Sequence, residues 1–225
     1  MLIDMHVHEK THSFDSFIGL EEIVERGKLM GLDGVCVTDH ESNGLRDKAY
    51  QVSAKKDFQV FVGAEILTFE GDVLVFGMDQ LPQKKMHARD LVELVLQQGG
   101  AVICAHPYRQ NGRGMGDGIK KLGCLSGVEG LNGSTPLTLN TKACRVAAEM
   151  NIPLFGSSDA HHLKQLGKYA TMFQGRIRDE KDLVEAILEG NVAPVYFQEG
   201  TYHRFDAGQH GIEGLISKKV RGYKR

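Results

Sequence analysis

Short apolar runs recur along the chain at Leu2 to Val7, Gly34 to Thr38, Phe58 to Ile66, Val73 to Met78, Ala101 to Ala105, Gly127 to Leu131, Ile152 to Phe155 and Val192 to Phe197. Most are apolar at consecutive positions rather than alternate ones, the pattern of strands covered on both faces. Between several of them the apolar spacing becomes helical: Leu20, Ile23 and Val24 before Gly31, then Leu91, Leu94 and Val95 before Gly99 and Gly100. Leu183, Ile187 and Leu188 repeat in the same way within Asp179 to Glu189, and Gly190 follows. A glycine just past the last apolar position ends a helix, because it alone enters the left-handed region without cost. Strands alternating with helices predict mostly parallel strands joined by helical crossovers, in an α/β barrel or a doubly wound sheet. After Gly200 the periodicity ends and the chain closes on Lys218, Lys219, Arg221, Lys224 and Arg225, so residues 200–225 read as a basic tail.

Composition narrows this picture. A chain of 225 residues is within the size that one α/β barrel keeps as a single unit, and no repeat or linker divides it, so one domain over residues 1–225 is expected. With 41% hydrophobic and 25% charged residues it can bury a core and is not a disordered segment. A net charge of -2 offers no broad field for a long polyanion, so the expected partner is a small or short anion. Cys36, Cys104, Cys124 and Cys144 form no C-x-x-C pair and read as reduced core thiols. No apolar run is long enough to span a membrane, and the opening MLIDMHVHEK lacks the pattern of a secretion signal, so a cytoplasmic location without a membrane partner is expected.

The candidate chemistry gathers where the strands end. His6 and His8 close the first strand, Asp39 and His40 the second, Glu65 lies near the end of the third, His106 follows Ala105, and Asp159 and His161 follow Phe155. In an α/β barrel the carboxyl ends of the strands converge on one rim, so these residues should share a pocket. His6 with His8, and Asp159 with His161, have the two-residue spacing that puts extended side chains on one face. One H-x-H is more often a chance surface pair, but two such pairs beside His40, Glu65 and His106 favour a metal site. Imidazole and carboxylate donors without thiolate suit Zn, Mn or Fe and leave positions open for water.

The segments HVH at 6–8, VTDH at 37–40, AHP at 105–107 and SDAH at 158–161 resemble the ordered signature motifs of the PHP (polymerase and histidinol phosphatase) superfamily. The likeness extends to GAEI at 63–66, EGLNG at 129–133 and the stretch from Gly175 to Phe197. It implies a distorted (βα)7 barrel that holds two or three divalent ions. It further implies that His6, His8, Glu65 and Asp159 hold one ion, that Glu65 bridges to a second held by His106, and that Asp15, His40 and His161 hold a third. The sequence departs from the family in two places. GDVLVFG puts Asp72 where many relatives carry a histidine, and HVHEKTHSFDS is one residue longer than the common spacing, so His12 competes with Asp15.

The function this implies is hydrolysis of phosphate esters of nucleotides or short RNA or DNA by a metal-bridging hydroxide, with Glu65, Asp159 and Arg109 as catalytic residues. Arg109 follows the AHP motif and is expected to grip phosphate, whereas Arg113, in QNGRGMGDG, reads as a solvated loop residue. That glycine-rich stretch is not a P-loop, since it lacks the closing Gly-Lys-Ser or Gly-Lys-Thr. A small phosphomonoester such as histidinol phosphate, a non-catalytic metal-binding module and hydrolysis of a C–N bond are the alternatives. Asp4 and Asp39 are candidates to orient ligand imidazoles. His87 and His162 read as surface residues, and His203 and His210 have no assignment.

Overall fold

The computed structural model describes residues 1–205. Among these, one sheet contains β1 (Leu2–Val7), β2 (Gly34–Val37), β3 (Gln59–Val62), β9 (Tyr169–Phe173), β10 (Val192–Gln198) and β11 (Thr201–Arg204), in the order β11-β10-β9-β1-β2-β3. The other contains β4 (Ala64–Leu67), β5 (Asp72–Phe76), β6 (Ala101–Cys104), β7 (Gly127–Asn132) and β8 (Leu154–Ser157), in chain order. Helices α1 (Leu20–Met30), α2 (Arg46–Lys56), α3 (Ala88–Gln97), α4 (Leu137–Met150) and α5 (Glu180–Glu189) connect them. Each expected helix is present. In α1, for example, Leu20, Ile23, Val24 and Met30 are buried, and Gly31 ends the helix at φ 78°.

The strands are less uniformly parallel than the alternation predicts. β1, β2 and β3 run parallel, as do β6, β7 and β8, but β4-β5-β6 and β1-β9-β10-β11 pair antiparallel. The links between β4 and β5 and between β10 and β11 are tight turns that cannot hold a crossover helix. The Phe58 to Ile66 run divides at Gly63 into β3 and β4, which belong to different sheets. A Cβ at Gly63 would lie 2.6 Å from the carbonyl oxygen of Val75, so only glycine lets the chain cross there. The ladders form two sheets and not one continuous barrel, although single parallel bridges, Val7 with Ala160 and His40 with Glu65, tie the sheets together. β11 occupies part of the expected tail and Phe205 is buried behind it; residues 206–225 lie outside the described residues.

A layer of Ile3, Met5, Phe61, Leu74, Phe76, Ile103, Phe155 and Phe173 fills the space between the sheets, while α1 and α3 cover outer faces. Cys36, Cys104 and Cys144 are buried free thiols, but Cys124 is exposed. No helix among the described residues is long and apolar enough to cross a membrane.

Two irregularities aim the site. The register of β1 against β2 shifts between Asp4 and Val7. Ile3 and Met5 pack in the central layer while Val7 packs with α1, so the parity of the strand changes and His6 and His8 turn inward together. The register of β7 shifts likewise between Glu129 and Leu131, beside Asn132.

Candidate metal centre

All eight predicted ligands come together. His6 and His8 project from the end of β1, His40 follows β2, Glu65 is on β4, His106 follows β6, and Asp159 and His161 follow β8. Asp15, on the loop before α1, lies 3.2 Å from Nε2 of His40 and 3.3 Å from Nε2 of His161. His12 lies instead beside Gly44. Donor atoms close enough to share an ion occur in His6, His8 and Asp159, in Glu65, Asp72 and His106, in His8, His40 and His161, and in His6, His106 and Glu129. Asp72 therefore stands at the site, where its family likeness places a histidine. His106 at φ 25° and Asp159 at φ 51° are both held in the left-handed region that non-glycine residues avoid, a cost the surrounding packing sustains at this site.

The outer nitrogens of the first two histidines are fixed by hydrogen bonds. Glu129 accepts from Nδ1 of His6 at 3.1 Å, from the backbone N–H of His106 at 2.6 Å and from the hydroxyl of Ser157. Ser13 donates to Asp39 at 2.7 Å, which turns a lone pair toward Nδ1 of His8 at 3.0 Å. Both histidines consequently present Nε2 inward, 2.9 Å apart and fully buried. Two facing lone pairs at that distance repel unless a proton or a metal ion lies between them. Asp4 has a different task from the one expected: it accepts from the backbone of Ser158 at 2.8 Å and of Gly167 at 3.0 Å, fixing the loop that carries Asp159 and His161.

The charges point the same way. Asp15, Glu65, Asp72, Glu129 and Asp159 converge, and among the described residues two guanidinium groups, those of Arg109 and Arg113, lie among them. Burial, and then the Glu65 carboxylate beside it, push Asp72 up to about 7. Burial opposes the cationic form of His6, yet Asp159, Glu129 and Glu65 raise it well above the ordinary imidazole value. Carboxylates outnumber the guanidinium groups in this cluster, and divalent ions fit its donor set.

Arg109 contacts Asp159 and donates to Asn132 at 2.7 Å and Thr135 at 3.3 Å. Arg113 is not the solvated residue the sequence suggests. It donates to Asp72 at 2.6 Å and to Glu65 at 3.4 Å. Gly114 permits this, since a Cβ there would overlap the carbonyl oxygen of Arg109. His87 is exposed and paired with Glu70, His162 lies at the surface against Phe17, and His203 is on β11. His210 lies outside the described residues. Ser13, Glu129 and Asn132 are among the site residues to which sequence reasoning assigned no role.

Replacing Glu129 with Gln should lower metal affinity about tenfold to a hundredfold while the protein stays folded. The amide offers one acceptor oxygen where three donors converge, and its NH2 must face one of them. Competition with a fluorescent chelator measures the affinity, and an unchanged value would show that His6 needs no such support.

The PHP domain pattern matches residues 4–113, and the PHP-associated pattern matches residues 138–192. An uncharacterized protein of Methanocaldococcus jannaschii is 30% identical over 143 residues, which is 59% of this chain and 82% of that one. A solved structure from Bifidobacterium adolescentis, named as a candidate metal-dependent phosphoesterase, aligns with a TM-score of 0.62 at 17% identity over 82% of this chain and 95% of that one. The lesion-specific endonuclease of Pyrococcus furiosus aligns with a TM-score of 0.61 at 18% identity, covering 84% of this chain and 56% of that one. At such identities the two structures testify to the fold. With the family patterns and the archaeal relative beside the ligand cluster, the chain belongs to the PHP family.

Proposed function

We propose that this protein is a metal-dependent phosphoesterase that hydrolyses phosphate esters of nucleotides or short oligonucleotides. The observation that carries this reading is the pair of inward-facing Nε2 atoms of His6 and His8 within a ring of carboxylates short of positive charge. His6, His8, Asp159 and Glu65 would hold one ion, Glu65, Asp72 and His106 a second, and Asp15, His40 and His161 a third. Ions bound there would acidify water and neutralise charge on a phosphoryl group, so no Ser or Cys nucleophile would be required. The protein's own part is to fix the imidazoles through Glu129 and Ser13, and to present the guanidinium of Arg109 beside the ligands. The parallel bridges at Val7 and His40 support reading the two sheets as walls of a distorted (βα)7 barrel with this centre on one rim.

Arg109→Ala should reduce kcat/KM for a doubly phosphorylated nucleotide or an oligonucleotide by about tenfold to a hundredfold, the worth of one charge-assisted contact of about 1.5 to 3 kcal/mol. The loss should be smaller on a minimal aryl phosphate if the guanidinium holds a phosphate remote from the reacting one. Equal losses on both would place it on the reacting phosphoryl group, and wild-type rates on both would remove it from the site. Metal content must be matched, because Arg109 also touches Asp159.

The reading as a whole is tested by a turnover screen of protein reconstituted with Zn, Mn or Fe. The panel contains nucleotides, bisphosphorylated nucleotides, short RNA, histidinol phosphate and cyclic amides. Phosphate release supports a phosphoesterase, ring opening supports C–N hydrolysis, and silence with every metal supports a binding module.

A further inference from the structure

The chain has ten phenylalanines, and among the described residues only Phe14, Phe17 and Phe69 are exposed, at 92%, 68% and 60%. Phe14 and Phe17 flank Asp15 on the loop that carries that ligand. The Phe14 ring centroid is 6.4 Å from that of His40, and the Phe17 ring stacks on His162, next to His161, at 4.8 Å with an interplanar angle of 6°.

This loop is not loosely placed. Lys10 N–H bonds to the carbonyl of Ile18, the Ser16 hydroxyl to that of His8 at 2.7 Å, and Phe17 N–H to that of His161. The two rings are thus held out into solvent by a fixed backbone, at a hydration cost the fold does not recover. Their neighbours Lys10, Thr11, His12 and Asp15 are polar, and the exposed apolar residues Leu29, Tyr50, Leu137 and Leu188 lie on helices. Isolated rings among polar groups make a poor surface for a protein or a membrane, which need continuous apolar area. They suit a flat, polar-edged ring attached to an anion that the adjacent centre holds.

We infer that Phe14 and Phe17 form a nucleobase-stacking subsite at the mouth of the metal centre, where Phe14 takes the base of a nucleotide whose phosphate lies among the ligands. This rests on the phosphoesterase reading and adds the feature that selects nucleotides from other phosphate esters. Stacking on an aromatic ring tolerates any base, because every base has a π face, so the subsite selects for a base without choosing among bases.

The chain contains no tryptophan, so Phe14→Trp introduces a single indole reporter at the subsite. Metal-loaded Phe14→Trp protein is titrated with an adenosine monophosphate analogue whose ester oxygen is replaced by carbon, and separately with ribose phosphate. Saturable quenching of the indole emission is expected with the analogue and not with ribose phosphate. In parallel, Phe14→Ala should lower the ratio of kcat/KM for adenosine monophosphate over ribose phosphate roughly tenfold, and Phe14→Trp should restore it. Absence of saturable quenching, or equal losses on the two substrates, overturns the subsite; equal losses would make Phe14 a support for the Asp15 loop. A change in oligomeric state on Phe14→Ala would assign the rings to a protein contact and also overturn it. If wild-type protein turns over neither substrate nor any other phosphate ester of the panel above, the phosphoesterase reading fails by itself, and the quenching still decides whether a base binds.

Discussion

Glu65→Gln should leave the protein folded and reduce turnover on the order of a thousandfold, with a parallel loss of bound metal. Glu65 is 1% exposed and divides its two oxygens among different partners. Oε1 lies 2.9 Å from Nε2 of His106 and 3.5 Å from Nε2 of His6, while Oε2 lies 2.8 Å from Nδ1 of His40 and 3.6 Å from Nε2 of His8. One carboxylate therefore reaches donors of all three proposed ions. Burial disfavours its charge, but His6 and its hydrogen bonds from His106 and His40 hold it well below the usual carboxylate range, so the ionised form is the one present. The amide removes the charge and turns an NH2 toward an imidazole or an ion. The backbone has no reason to move, since Glu65 N–H bonds to the carbonyl of Asp39 within the bridge to β2. Elemental analysis with steady-state kinetics checks the result, and near wild-type values of both would show that Glu65 is not the bridge.

The parts of this centre that were legible in the sequence are those that strand ends announce. His6, His8, His40, His106 and Asp159 each stand where an apolar run stops, and parallel strands bring such ends to one rim. Strand direction is another matter. An apolar run records burial on both faces but not orientation, so the antiparallel pairings of β4 with β5 and of β9 with β1 left no trace in the pattern. Helix α2 was hidden for a related reason: RDKAYQVSAKK buries only Ala49 and Val52, too few positions for a helical period.

Glu129 had a signal that was not used. A carboxylate inside an apolar run is buried, and a buried carboxylate requires partners, which makes it a candidate for the site on that ground alone. The same argument promotes Asp72 at the start of β5. Arg113 had no such signal, because its approach depends on the close packing at Gly114. The register shifts in β1 and β7 were equally silent, although they decide which residues of each strand face the site.

Chelation should abolish turnover and lower the melting temperature by about 10 °C or more, and the gap should widen as the pH rises from about 6 to about 8. An ion present at about 100 times its dissociation constant stabilises the folded state by about 2.7 kcal/mol. For a chain of this size each kcal/mol moves the melting temperature by about 2 to 4 °C, so two such ions account for the shift. Removing them also leaves Glu65, Asp72, Glu129 and Asp159, each at most 1% exposed, with two guanidinium groups and whatever protons they can recruit. The sign with pH follows from His6. Burial alone would lower its pKa, but Asp159, Glu129 and Glu65 raise it well above the ordinary value, so without metal its Nε2 holds a proton more tightly than an ordinary imidazole does. Metal must displace that proton and therefore binds more tightly as the pH rises. Calorimetry of the metal-loaded and chelated protein across this range checks both parts. A melting temperature indifferent to chelator at every pH, in protein shown to contain metal beforehand, would remove the ions from this cluster.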